Sequence, residues 1–60
     1  MAISDDDLDV EWLYMMCEKG LMKMPTEAKE DEFVDEVKSR IALGSSVNTA
    51  RITAFAKVMV

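Results

Sequence analysis

Residues 4–20 read SDDDLDVEWLYMMCEKG and give the clearest helix signal in this 60-residue chain. Ser4, followed three positions later by Asp7, resembles a capping box, and the aspartates favour the positive end of a helix dipole. Gly20 is expected to take the left-handed conformation just past the helix end. The pattern therefore predicts a helix over about residues 5–19.

The apolar side chains of this helix recur at spacings of three and four residues and form a stripe along it. The stripe consists of Leu8, Trp12, Leu13, Met15, Met16 and Cys17. It is wider than the seam of a coiled coil requires. We therefore expect the helix to contact more than one neighbouring element.

A second helix is predicted over about residues 27–43. Pro25 disfavours helical geometry at the residue before it, Thr26 suits an N-cap, and Gly44 ends the segment. Its apolar positions form one face, whereas its first turns are acidic.

A third helix is favoured over about residues 47–59, with Ser45 and Ser46 as capping residues. Residues 52–60 also alternate between two sets of side chains and include β-branched ones, so a strand is the alternative. The expected fold is all-α, a small antiparallel helical hairpin or three-helix module in one domain over residues 1–60.

The chain length limits both stability and function. A 60-residue domain buries only about 60% of its unfolded surface, so a homo-oligomer or a bound partner is expected to contribute stability. Such a chain rarely encloses a substrate pocket as well as a core. We therefore predict a protein that is not an enzyme.

The residue types that build catalytic and metal sites are scarce. Cys17 is the only cysteine and histidine is absent, so one chain cannot form a disulfide, a Cys/His zinc site or a Cys-His nucleophile. The acidic run from Asp5 fails as a calcium loop, because position six is Val10 rather than Gly and position twelve is Met16 rather than Glu. We predict no catalytic residue, no cofactor and no metal.

The charge balance bears on the choice of partner. Seven Lys and Arg against twelve Asp and Glu give a net charge of -5, which disfavours direct binding to nucleic acid or an anionic membrane. An acidic start and the lack of a long apolar run predict a cytoplasmic protein. Five acids near the start are candidates for electrostatic steering toward a basic partner, with helix capping and a solvated face as the alternative. They are Asp5, Asp6, Asp7, Asp9 and Glu11.

Methionine and aromatic residues near the first helix indicate a contact surface. Four of the six methionines lie between Met15 and Met24, close to Trp12 and Tyr14. Thioether side chains suit adaptable partner surfaces as well as ordinary cores, and Trp and Tyr are enriched among interface anchors. The predicted partner-binding residues are Leu8, Trp12, Leu13, Met15, Met16, Leu21 and Met24.

Residues 8–18, LDVEWLYMMCE, resemble the opening of the Sin dimerisation domain of SinI-type anti-repressors. That family shows Leu-Asp-x-Glu-Trp, then two apolar positions ending in Met or Ile, then Glu. The matching residues are Leu8, Asp9, Glu11, Trp12, Met16 and Glu18. The family's second-helix pattern is matched only in part, by residues 26–29. The resemblance implies a helical hook that pairs with a helix-turn-helix repressor and releases it from DNA.

These observations favour a small acidic regulatory protein that binds and inhibits a protein partner, most simply an anti-repressor acting on a transcription regulator. Two alternatives remain. One is a phage-type inhibitor that occupies a nucleic-acid-binding enzyme by mimicking the charge of DNA. The other is a small structural subunit or self-assembling scaffold.

Overall fold

In the computed structural model, the described residues 5–60 form three α-helices. They are α1 (Asp5–Lys19), α2 (Glu27–Ala42) and α3 (Val47–Val58). The predicted all-α three-helix module is confirmed, and the third segment is a helix rather than a strand. The predicted Ser4 cap lies outside the described residues.

The starts of α2 and α3 are capped by hydroxyl side chains, as expected. The side-chain oxygen of Thr26 accepts a hydrogen bond from the Lys29 backbone N–H at 3.3 Å. Ser46 accepts one from the Thr49 backbone N–H at 3.2 Å. Each bond satisfies a donor that has no partner within the helix, and so sets where the helix begins.

The end of α1 departs from the expectation for Gly20, because it is Leu21 that takes the left-handed conformation, with φ 54°. The N–H of Met22 donates to the Cys17 carbonyl at 2.9 Å, and the N–H of Leu21 donates to the Glu18 carbonyl at 3.2 Å. These two bonds define a Schellman motif in which Leu21 is the first residue beyond the cap. The helix ends at Lys19 as predicted, but Gly20 is itself the capping residue, so the left-handed residue lies one position later than expected.

The end of α2 is also a Schellman motif, and here the left-handed residue is a glycine, Gly44. The Ser45 N–H donates to the Arg40 carbonyl and the Gly44 N–H donates to the Ile41 carbonyl, both at 3.0 Å. Gly44 takes φ 104°, which a residue without Cβ adopts without strain. Gly44 therefore ends α2 as expected.

The three helices run up, down and up. Asp6 at the start of α1 contacts Lys38 near the end of α2, so these two helices are antiparallel. Asp9 pairs with Arg51, and one turn later Trp12 meets Phe55, so α1 and α3 are parallel.

The core lies where all three helices meet. Its buried members are Leu13, Cys17, Phe33, Val34, Val37, Ala50 and Ala54. The backbones of α2 and α3 make the most extensive approach, since the buried side chains of α3 are the small ones of Ala50 and Ala54, while Phe55 and Val58 pack at the edge of the core. The backbones of α1 and α3 approach each other at few points, so long side chains join these two helices.

Candidate protein-binding surface

Trp12 is the central aromatic contact between α1 and the other two helices. Its ring stacks on Phe33 of α2, with centroids 5.8 Å apart and an interplanar angle of 10°. It also meets Phe55 of α3 edge-on, with centroids 6.0 Å apart and an angle of 83°. Trp12 is partly buried against the core by these contacts. It therefore supports the fold and also contributes to the surface.

Asp9 and Arg51 form the second link between α1 and α3. The Arg51 Nε donates to Asp9 Oδ1 at 2.7 Å, and Asp9 is only 5% exposed. Asp9 was predicted to steer partners, but the structure places its carboxylate inside the molecule and pairs it with a cation. The sequence held one signal for this position, because Asp9 precedes the buried Leu13 by one helical turn.

Apolar side chains remain exposed on both sides of this contact. Leu8 and Met15 of α1 are 40% and 41% exposed, and Ile52 of α3 is 54% exposed. By helical spacing, Leu8 and Met15 lie one turn before and one turn after Trp12 on α1, and Ile52 lies one turn before Phe55 on α3, so these exposed side chains border the two rings. We call these five residues the α1–α3 face.

The other predicted partner-binding residues lie elsewhere. Leu13 is fully buried in the core, so its side chain contributes nothing to the surface in this conformation. Met16 is half-buried on α1. Leu21 is 95% exposed and Met24 54% exposed, both beyond the end of α1. The structure thus divides the predicted set into the buried Leu13, the half-buried Met16, three residues of the α1–α3 face and two residues beyond α1. It adds Ile52 and Phe55, which the sequence had not indicated as binding residues.

The remaining acids at the start of α1 differ in their surroundings. Asp6 forms an ion pair with Lys38 at 3.0 Å. The hydrogen bond that Lys38 donates to Asp6, together with the charge of that carboxylate, raises the pKa of Lys38 above its ordinary value. Asp5, Asp7 and Glu11 have exposed side chains.

An open, acidic groove of about 320 Å³ separates α1 from α2 on another side of the molecule. Its lining residues are Asp6, Asp7, Val10, Glu30, Asp31, Val34, Asp35 and Lys38. Tyr14, further along α1, donates a hydrogen bond to Glu30. Within residues 5–60 no group of three or more Cys, Asp or Glu side chains is arranged to hold a metal ion.

No helix in the described part of the chain has the length and apolar character needed to cross a membrane. The sequence matches no protein-family model, and neither the curated proteins nor the solved structures contain a significant match to it.

Proposed function

We propose that this protein is a small, acidic, non-catalytic regulator that binds and inhibits another protein through the α1–α3 face. The observation that carries the proposal is the exposure of Leu8, Met15 and Ile52 around the ring pair of Trp12 and Phe55. Apolar side chains scattered singly over a surface need no explanation, but exposed apolar side chains that border a ring pair shared by two helices are typical of an interaction site.

The chemistry of such a face is burial rather than reaction. A partner helix laid along α1 and α3 would remove Leu8, Met15 and Ile52 from water and complete the enclosure of Trp12. Large aromatic residues at the centre of an interface commonly supply much of its binding free energy. Trp12, between two helices and next to exposed apolar side chains, has that position.

A transcription regulator is the proposed class of target, and this part of the proposal rests on the resemblance of residues 8–18 to SinI-type anti-repressors. Two of the matching residues, Leu8 and Trp12, belong to the α1–α3 face. A third, Asp9, holds α1 against α3 through Arg51. These three matched positions thus serve either the proposed surface or the placement of the helix that carries it.

The test compares two double variants in affinity capture from the native host. Leu8→Ser/Met15→Ser removes apolar area from the face, and Ile41→Ser/Leu43→Ser removes a larger exposed apolar area from the end of α2. We expect the first variant to lose the captured partner at least tenfold and the second to retain it. Circular dichroism checks that both variants keep their helical content.

Equal capture by the two double variants would contradict the α1–α3 face as the binding site. If the captured protein binds operator DNA, adding the purified chain should lower operator occupancy. A captured protein with no DNA-binding activity would contradict the repressor target and leave the binding surface intact.

A further inference from the structure

The two edges of the α1–α3 face differ in charge. The α1 edge carries Glu11 and Glu18. Each follows an exposed residue of the face by three positions, Leu8 and Met15 respectively, and lies on the side of α1 that is farther from α3. Both glutamates are exposed, and no ion pair among residues 5–60 engages either of them. The opposite edge, on α3 beyond Ile52, is uncharged.

The charges within the face cancel, and the charges at its two ends are opposite in sign. Asp9 and Arg51 neutralise each other between the helices. Asp5 lies at the start of the α1 stripe and Lys19 at its end, two turns on either side of Trp12. The uncompensated charge bordering the face is therefore the pair of glutamates along one edge.

We propose that the occupant of the α1–α3 face is an amphipathic helix of another protein with basic residues along one flank. This inference rests on the proposed function and adds the chemistry of the partner. The helix would lay its apolar stripe on Leu8, Trp12 and Ile52, parallel to α1 and α3, and its Arg or Lys side chains would lie over Glu11 and Glu18. Charge complementarity of this kind sets orientation and association rate more than affinity.

A second copy of this chain fits the face less well. Antiparallel pairing of two α1 helices would bring the Glu11 and Glu18 edge of one copy against the same edge of the other, and like charges at such spacing repel. Pairing α1 with the partner copy's α3 would place the glutamates against an uncharged edge and leave them unpaired. Each copy also carries a net charge of -5.

The test uses three synthetic helical peptides that share one apolar stripe and differ only on one flank. The flank carries Arg in the first peptide, Gln in the second and Glu in the third. Each peptide is titrated into ¹⁵N-labelled full-length protein, and amide shift changes locate the site while their concentration dependence gives the affinity. Two exposed ion pairs of ordinary strength predict that the Arg peptide binds about fivefold more tightly than the Gln peptide at low salt.

Two matched variants test whether the tighter binding of the Arg peptide depends on the glutamates along the α1 edge. Glu11→Gln/Glu18→Gln should abolish the difference between the Arg and Gln peptides. Glu27→Gln/Glu32→Gln changes the net charge equally on the exposed surface of α2, outside the acidic groove, and should preserve the difference. The advantage should also shrink between about 0.05 and 0.5 M salt.

Shift changes on the face with equal affinities for the three peptides would overturn the basic partner and leave the proposed surface standing. Absence of binding by all three, or shift changes confined to the acidic groove between α1 and α2, would overturn the inference. So would sedimentation of the free protein as a dimer whose α1–α3 face is protected from solvent. Whatever the result with the peptides, the proposed function is tested separately by affinity capture with Leu8→Ser/Met15→Ser and Ile41→Ser/Leu43→Ser.

Discussion

The pairing of α2 with α3 and the attachment of α1 to that pair are built differently. The helices α2 and α3 approach closely over Ala50 and Ala54, and Lys57 Nζ joins them again at 3.2 Å from Glu36 Oε2. In contrast, α1 reaches the other helices through large side chains, chiefly Leu13 and Trp12.

This difference indicates which element depends on the other two. Residues 26–58 form a hairpin with a capped start, an unstrained glycine turn and a close helix contact. The helix α1 contributes the buried Leu13 and Cys17 to the core, and it is followed by a leucine in a left-handed conformation. Because α1 also carries most of the proposed binding surface, any loosening of α1 alters binding and stability together.

The largest effect is expected where α1 enters the core. Leu13→Ala removes a fully buried side chain and leaves a cavity between α1 and the hairpin, so we expect it to lower the free energy of unfolding by about 3 kcal/mol. Urea denaturation followed by circular dichroism measures this loss. The matched variant Met15→Ala, on the exposed side of the same helix, should change stability by less than about 1 kcal/mol.

A loss below about 1 kcal/mol for Leu13→Ala would show that α1 contributes little to the folded state and would contradict its place in the core. Amide hydrogen exchange on the same variant locates the change. We expect faster exchange in α1 than in α2 or α3, and uniform acceleration in all three helices would contradict the distinction drawn between them.

A smaller effect is expected from the link between Asp9 and Arg51. Asp9→Ala leaves a partly buried guanidinium without its carboxylate, and we expect a loss of about 2 kcal/mol. The double variant Asp9→Leu/Arg51→Met removes both charges and should restore most of that loss, because apolar side chains of similar size can replace a buried pair. Thermal unfolding measures the loss in Asp9→Ala, and unfolding of Asp9→Leu, of Arg51→Met and of the double variant completes the double-mutant cycle.

Equal losses in Asp9→Ala and in Asp9→Leu/Arg51→Met would show that the pair itself contributes net stability. A negligible loss in Asp9→Ala would show that the pair does not hold α1 against α3. The first result would strengthen the contrast between the close packing of α2 on α3 and the attachment of α1 through long side chains. The second result would show that Asp9 is not part of that attachment.

The smallest effects are expected at the two helix ends. Leu21→Gly relieves a bulky residue in the left-handed region and should raise stability by about 1 kcal/mol. Gly44→Ala places a Cβ at φ 104° and should lower stability by about 1 kcal/mol, although the space around that Cβ is open. Chemical denaturation of the two variants measures both changes.

If Leu21→Gly proves destabilising, the 95% exposed leucine side chain makes contacts that the folded monomer does not show. If Gly44→Ala is neutral, the contrast between the two helix ends disappears. A gain of stability in Leu21→Gly together with a loss in Gly44→Ala would confirm that the two helix ends differ in backbone strain.

The helices themselves followed from local chemistry. Thr26 and Ser46 marked two starts and Gly44 marked an end, because capping depends on residues a few positions apart. The spacing of apolar residues then indicated which side of each helix faces inward.

The candidate site was less predictable because the α1 stripe covers more than half the helix circumference. Periodicity alone does not separate Leu13, which is fully buried, from Met15, which is 41% exposed. Asp9 and Arg51 are 42 positions apart in the sequence, so no local sequence pattern predicts that they pair. The exposed Ile52 became part of the face only through the parallel packing of α3 beside α1.

The burial of Cys17 gives the molecule an internal reporter. Its thiol, the only one in the chain, is fully covered in the core, where it faces the hairpin from the last turns of α1. An alkylating reagent reaches it only when α1 separates from that hairpin, either by itself or as the whole domain unfolds. The labelling rate of the unmodified protein therefore reports the opening of α1 without an introduced probe, and a ligand bound across α1 and α3 would slow it.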